Sequence, residues 1–229
     1  LLARYSVLSL ITFICALFIF PYSQSFDRYL EIAWFEAMLV NSAVCFQIVE
    51  MISMIKMRFA ILNTRINKLV QFFASNKVNT VNAKGELKNR FLVLTKICSL
   101  HHHLSKLIRL FNDTFGLILL LMFGTSFVEI VTTSFFTSGL LQASQINWLY
   151  VIAIIVSCMN FALDVIYVCD VCYKTIKEAN KSGKLIHKIE TENHDIMDEI
   201  EMFSLQIANE KVDFNAAGFF PINYTLVFS

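Results

Sequence analysis

Four stretches of this chain are apolar over the length of a bilayer, and the segments that join them carry their charge unevenly. A hydrocarbon core asks for about 20 consecutive apolar residues in a helix. The runs 5–22 (YSVLSLITFICALFIFPY), 32–55 (IAWFEAMLVNSAVCFQIVEMISMI), 111–137 and 147–169 meet that length. In lipid every backbone amide must be satisfied internally, so runs of this kind read as membrane-spanning helices. Composition agrees: 56% of the residues are hydrophobic, 16% are charged, and 22 are Phe. A mean hydropathy of +0.60 is outside the range of ordinary soluble domains. The predicted fold class is all-α, a polytopic membrane helical bundle whose long helices extend into a cytoplasmic anchor region.

No nucleic-acid partner is expected, but the net charge of +1 carries no message about partners, because opposite charges cancel in the total. The placement of the charges says more. Between the second and third runs lie Lys56, Arg58, Arg65, Lys68, Lys77, Lys84, Lys88, Arg90, Lys96, Lys106 and Arg109, with Glu86 as the one carboxylate before Asp113. After the fourth run come Lys174, Lys177, Lys181, Lys184, Lys188 and Lys211. Lysine and arginine collect on the cytoplasmic side, so both segments are expected there. The connector after the first run has a single basic residue, Arg28, and SGLLQASQ after the third run has no charge, so both are expected outside. Cys15, Cys45 and Cys158 fall within runs and Cys98, Cys169 and Cys172 at the inner side, which implies no disulfide framework. The triplets at Asn112, Asn180 and Asn223 fall inside or at the inner edge and are expected to stay unglycosylated.

One membrane domain is expected. Its first part, 1–137, holds three spans and a helical hairpin over about 56–110. Leu62, Ile66, Leu69 and Phe73 continue an apolar stripe past the second span, and Phe91, Leu94, Ile97, Leu104, Leu107 and Phe111 form a second stripe leading into the third. The second part, 138–229, holds the fourth span and a polar loop at KEANKSGK (177–184). An amphipathic helix over about 189–209 follows, with Ile189, Ile196, Ile200, Phe203 and Ile207 on one face and carboxylates on the other. That acidic face either docks on the basic hairpin or is simply solvated. The closing apolar run, 219–229, is only half a span long. With no initiator Met at position 1, the chain reads as a piece of a longer one whose last helix starts near Phe219 and runs outward.

Few motifs carry chemistry. Consecutive residues of a helix point about 100° apart, so His101, His102 and His103 cannot converge on a metal ion. Cys169 and Cys172 have the spacing of a metal or redox pair but no partner set, and read as reduced thiols at a helix end, open to lipidation. No nucleophile elbow, phosphate loop or dinucleotide fingerprint is present, so neither an enzyme nor a cofactor is expected.

Ionisable and polar groups inside spans are more telling, because hydrocarbon burial is costly unless they meet a partner or a cavity. Glu36 and Asn41 in the second run and Glu129 in the third lie towards the outer side, with Gln47, Glu50, Asn160 and Asp164 deeper. Glu36 and Glu129 rank ahead of Glu50 and Asp164 as cavity residues. Trp34, Phe127, Trp148 and Tyr150 supply outer aromatics, which serve as an interfacial belt or as pocket walls. With Met38 these make the expected ligand-binding set: Trp34, Glu36, Met38, Asn41, Phe127, Glu129, Trp148 and Tyr150.

Three stretches carry a family likeness: MRFAILNTRINKL (57–69), LHHHLSKLIRLFNDTFGLILLL (100–121) and, most specifically, AAGFFPINYTLVFS (216–229). Together they resemble the insect gustatory receptors, ligand-gated channels related to the odorant receptors, from the third span to the start of the seventh. The resemblance implies a tetrameric cation channel, homomeric or mixed with other gustatory receptors, in the plasma membrane. The amino terminus would be cytoplasmic, a small-molecule tastant would bind near the outer surface, and the hairpin would anchor subunits. Phe220, Tyr224 and Phe228 would line the pore. An odorant receptor subunit is the nearest alternative reading. A heptahelical G-protein-coupled receptor would put its amino terminus outside and cysteines in its outer loops. A transporter would show broken spans and an inverted repeat.

Overall fold

The chain has only two prolines, Pro21 and Pro221, and the long helices among the described residues lie between them. With no residue that removes a helical hydrogen bond in the interval, the apolar runs extend well past a membrane's thickness. The computed structural model describes residues 25–75, 83–142, 148–210 and 212–228. The first apolar run, 5–22, lies outside them. Helix α1 (Ser25–Ser75) has 51 residues, α2 (Ala83–Leu141) has 59, and α3 (Trp148–Ile186) has 39. Among the described residues, three helical stretches are long and apolar enough to cross a membrane: Glu36–Ser75, Lys88–Leu141 and Val151–Ile186.

Side-chain contacts fix the relative directions. Ser42 meets Asp164 and Asn63 meets Ser182, so α1 and α3 run parallel. The Arg90 guanidinium lies 4.0 Å over the Phe72 ring and Phe59 packs on His101, so α2 runs antiparallel to α1. The end of the bundle holding the α1 carboxyl terminus and the α2 amino terminus is called basal here. Cys45, Ile48, Ile52, Phe59, Leu62, Ile66 and Leu69 form one unbroken buried stripe along α1. Opposite surfaces are apolar too: Leu117, Leu121, Val128, Phe135 and Phe136 project outward from α2. That arrangement suits lipid, because such area facing water would be an aggregation site.

Six hydroxyl groups in these helices are satisfied locally. Thr125, Thr133, Ser134, Thr137, Ser157 and Thr175 each donate to the carbonyl four residues earlier. Each thereby crosses the apolar region with its donor used.

The segment 177–184 is not the expected polar loop; α3 continues to Ile186. Thr175, Ala179, Ser182 and Ile186 recur at spacings of three and four and are buried. The Asn63 amide holds that turn to α1. It donates to the Glu178 carbonyl (2.7 Å) and side chain (2.9 Å) and accepts from the Ser182 hydroxyl (2.7 Å). A composition typical of loops is overridden by three tertiary hydrogen bonds.

Helix α4 (His194–Asn209) follows, its first turn capped by Asn193, which accepts from the Ile196 amide at 3.1 Å. Ile196 and Phe203 are buried, with Ile200 and Ile207 packed on the same core. Of the expected acidic face, Glu199 alone is buried; Asp195, Asp198 and Glu201 face solvent. Docking of α4 is therefore largely apolar, with Phe203 packed against His101 of the hairpin.

The final segment also differs from expectation. The helix does not begin near Phe219. Strands β1 (Asn215–Ala216) and β2 (Phe220–Pro221) pair antiparallel through a three-residue loop (217–219), and α5 (Thr225–Phe228) starts only after Asn223, whose side chain accepts from the Thr225 amide at 2.9 Å. Pro221 favours an extended neighbour, and Asn223 offers the cap.

Candidate functional site

The apical half of the bundle buries polar groups along one seam. On α1, Asn41 and Ser42 sit one turn before Cys45; on α3, Ser157, Asn160 and Asp164 share a face at spacings of three and four. The Ser42 hydroxyl donates to Asp164 Oδ2 at 3.1 Å, and the Cys45 thiol reaches the Asp164 carbonyl at 3.7 Å. Asp164 is 4% exposed and pairs with no cation among the described residues. Two further polar atoms, Asn41 Nδ2 and Ser126 Oγ, are buried and have no hydrogen-bond partner among the described residues. Buried polar groups are nearly always satisfied, so such orphans mark a place where something else binds or moves.

The expected ligand residues divide. Met38 and Asn41 turn towards the bundle, Met38 being buried. Glu36 is exposed, as are Phe127 (69%) and Trp148 (62%). Glu129 is half-buried, and its carbonyl accepts from Thr133 at 2.6 Å. Trp34 and Tyr150 lie on α1 and α3, and their side chains are outside the described ones. The bundle therefore buries Met38 on the helix whose Ser42 and Cys45 meet Asp164, a residue the sequence ranked lower, and leaves Phe127, Trp148 and Glu36 on outward faces. Gln47 and Glu50 are exposed as well.

A second constellation ties the carboxyl-terminal segment to the bundle. The Asn112 amide grips it at two points, donating to the Asp213 carbonyl at 2.9 Å and accepting from the Asn215 amide at 3.3 Å. One turn on, Gly116 lies so close to the β-turn that a Cβ there would sit 2.7 Å from the Ala217 amide nitrogen. Ala217 (φ 50°) and Gly218 (φ 77°) both have positive φ, and Phe219 N–H closes the turn on the Ala216 carbonyl at 2.9 Å. These are the features of a type I′ hairpin turn. Phe214 packs edge-on against Phe111 at 5.6 Å, and Phe220 against Phe123 at 6.1 Å.

Of the expected pore residues, Phe220 is half-buried on that Phe123 contact. Tyr224 donates its hydroxyl to Asp170 Oδ1 and lies 4.9 Å from the Tyr173 ring. Phe228 belongs to α5, with its side chain outside the described ones.

The basal cluster, outside the bilayer-length run 111–137, is chemically quiet. His101 is buried between the rings of Phe59 and Phe203, while His102 turns outward to Glu210. The histidines diverge as their angular spacing requires. Beside them burial pushes the Cys98 thiol up to about 12, and the Glu199 carboxylate adds to the shift. Cys169 and Cys172 are each 0% exposed, which corrects the reading of thiols open to lipidation.

Comparison with known proteins agrees with this architecture. The 7tm chemosensory receptor family matches residues 1–229. Among curated relatives, the gustatory receptor for sugar taste 43a of Drosophila melanogaster is 24% identical over 152 residues, covering 66% of this chain and 35% of the relative. The putative gustatory receptor 28b of the same fly is 21% identical over 199 residues, covering 77% and 42%. The chain thus spans well under half the length of either. With bilayer-length helices, a buried polar seam and a match from end to end, the chain belongs to the 7tm chemosensory receptor family, a family of receptors rather than enzymes, and is a multi-pass membrane protein.

Proposed function

We propose that this chain is the membrane-embedded part of a gustatory receptor that binds a small, neutral, hydroxyl-bearing tastant and, as a tetramer alone or with other gustatory receptors, opens a cation path across the plasma membrane. The observation that carries this reading is the seam itself: among the described residues Asp164 has no cation and is held by Ser42, Asn41 Nδ2 beside Ser42 is unpartnered, and so is Ser126 Oγ on α2. A polyol supplies donors to the carboxylate and acceptors to the amide and hydroxyl, without bringing in a charge that hydrocarbon would penalise. The name of one relative, a receptor for sugar taste, points the same way. Met38 and Asn41 line the inner wall of the site, and Trp34, Glu36, Phe127, Glu129, Trp148 and Tyr150 form its aromatic and acidic approach. Phe220, Tyr224 and Phe228 start the pore-lining segment. A tastant opens that path only by binding the open arrangement better than the closed one.

Agonist dose–response curves of the full-length receptor in transfected cells test the assignment. Asn41→Ala and Asp164→Asn are expected to raise the half-maximal concentration of a sugar or polyol about tenfold, the loss of one buried hydrogen bond. Phe127→Ala and Glu129→Gln are expected to have smaller effects. If all four variants respond to every agonist as wild type does, the seam is not the tastant site.

A further inference from the structure

Asp170 lies six residues beyond Asp164 on α3, which places it about 9 Å further along the helix and about 240° around it. Asp164 faces α1, whereas Asp170 faces the carboxyl-terminal segment. Three contacts converge there. The Tyr224 hydroxyl donates to Asp170 Oδ1, Lys174 Nζ lies 2.6 Å from Asp170 Oδ2, and the Tyr173 ring packs on the Tyr224 ring. Tyr224 is the residue immediately before α5, and the neighbouring Asn223 caps that helix. A single carboxylate on α3 therefore holds the entrance of α5, with Lys174 fixing the carboxylate's second oxygen.

Leu226 of α5 also packs against the core, and the polar hold on the start of the helix is the Tyr224 bond. Upstream, the hairpin is clamped to α2 by Asn112 and by the close approach at Gly116. Between that clamp and α5 the chain passes through the short strand β2 and the turn at Asn223. Ile222 is buried and its amide bonds the Phe214 carbonyl at 2.8 Å, so motion of α5 relative to the hairpin is taken up at residues 223 and 224, of which Tyr224 is bonded to α3.

We propose that Asp170 and Tyr224 form a gating latch: the bond pins the first turn of α5 to α3 in the non-conducting arrangement, and a rotation of α3 driven from the Asp164 seam breaks it. The proposal rests on the reading of α5 as the start of a pore-lining helix and deepens it by naming the residue pair that couples tastant site to pore. The coupling is mechanical because both carboxylates belong to one uninterrupted helix. A turn of α3 that improves contact with a ligand at Asp164 swings Asp170 away from Tyr224. Asp170 and Tyr224 act on the tastant site only through α3 and are positioning residues for it.

Currents from the full-length receptor, with surface labelling of the same cells, provide the test. Tyr224→Phe keeps the ring and removes the hydroxyl; Asp170→Asn weakens the acceptor. Each is expected to raise the current without agonist and to lower the half-maximal agonist concentration about threefold to tenfold, the range for a partly exposed charge-assisted hydrogen bond. The double variant is expected to shift no further than the larger single one, because both remove the same bond. Lys174→Met, which leaves the Tyr224 bond in place, is expected to shift less than Tyr224→Phe. Additive shifts, no shift, or an equal shift from Lys174→Met would each overturn the latch. A wild-type receptor that reaches the surface yet carries no agonist-evoked current would instead overturn the channel reading on which the latch depends.

Discussion

The imidazole of His101 meets the Phe59 ring at 5.5 Å and the Phe203 ring at 5.4 Å, both edge-on, and neither of its nitrogens finds a hydrogen-bond partner among the described residues. It thus joins α1, α2 and α4 as an aromatic residue while retaining two unsatisfied polar atoms. Burial lowers its affinity for a proton, against the pull of the Glu210 carboxylate. The folded protein therefore binds fewer protons at this site than the unfolded chain below about pH 6.5, the ordinary imidazole value. Its contribution to stability is intact above that pH and falls as the medium is acidified. In thermal melts of the detergent-solubilised protein, His101→Phe is expected to raise the melting temperature and to flatten its decline between pH 7 and 5.5, while His101→Ala costs about 2–4 kcal/mol through lost packing. A decline as steep in His101→Phe as in wild type would assign the pH dependence to another group. In the sequence three identical residues stand in a row, and only their divergence was legible. Which of them faces the core depends on how α4 docks. The same gap explains the ranking of carboxylates. A helix apolar all round has no hydrophobic contrast from which to read its rotation, so Glu36 and Glu129 stood out by depth alone. The signal that was present, polar residues at 157, 160 and 164, has the three-and-four spacing of one face.

At the scale of elements, helix existence was readable and helix ends were not. The apolar runs announced α1, α2 and α3, and the stripe from Ile196 to Ile207 announced α4. The basal end of α3 was hidden because its helical state is enforced by Asn63, more than a hundred residues away in the chain. The hairpin 215–221 was hidden for a related reason: its turn uses Ala217, a residue with no sequence preference for positive φ. The Asn112 clamp and the contact with Gly116 hold it there. Two substitutions probe this balance. Ala217→Gly relieves the turn and is expected to stabilise the protein by about 0.5–1 kcal/mol. Gly116→Ala pushes a methyl group into the backbone of the turn and is expected to destabilise it by about 1–3 kcal/mol, with faster proteolysis between Asp213 and Pro221. Equal melting temperatures for Gly116→Ala and wild type would mean that the hairpin sits further from α2 than described.

For the whole molecule, orientation rests on lysine and arginine placement, and the test is topological. An epitope inserted at Asn79 in the full-length receptor is expected to be reached by antibody only after permeabilisation; staining of intact cells would invert the bundle. Fold class was legible because lipid permits so few alternatives to a helix, whereas the packing of the seam and the hairpin needed contacts between residues far apart in sequence. Length has a mechanical corollary. At 1.5 Å per residue α2 is about 88 Å long, nearly three times the hydrocarbon thickness. A stiff rod of that length pivoting by about 5° around its midpoint displaces each tip by about 4 Å in opposite senses. A small tilt at the apical tip would therefore be felt as an ångström-scale stroke at the far tip, with no joint needed between them.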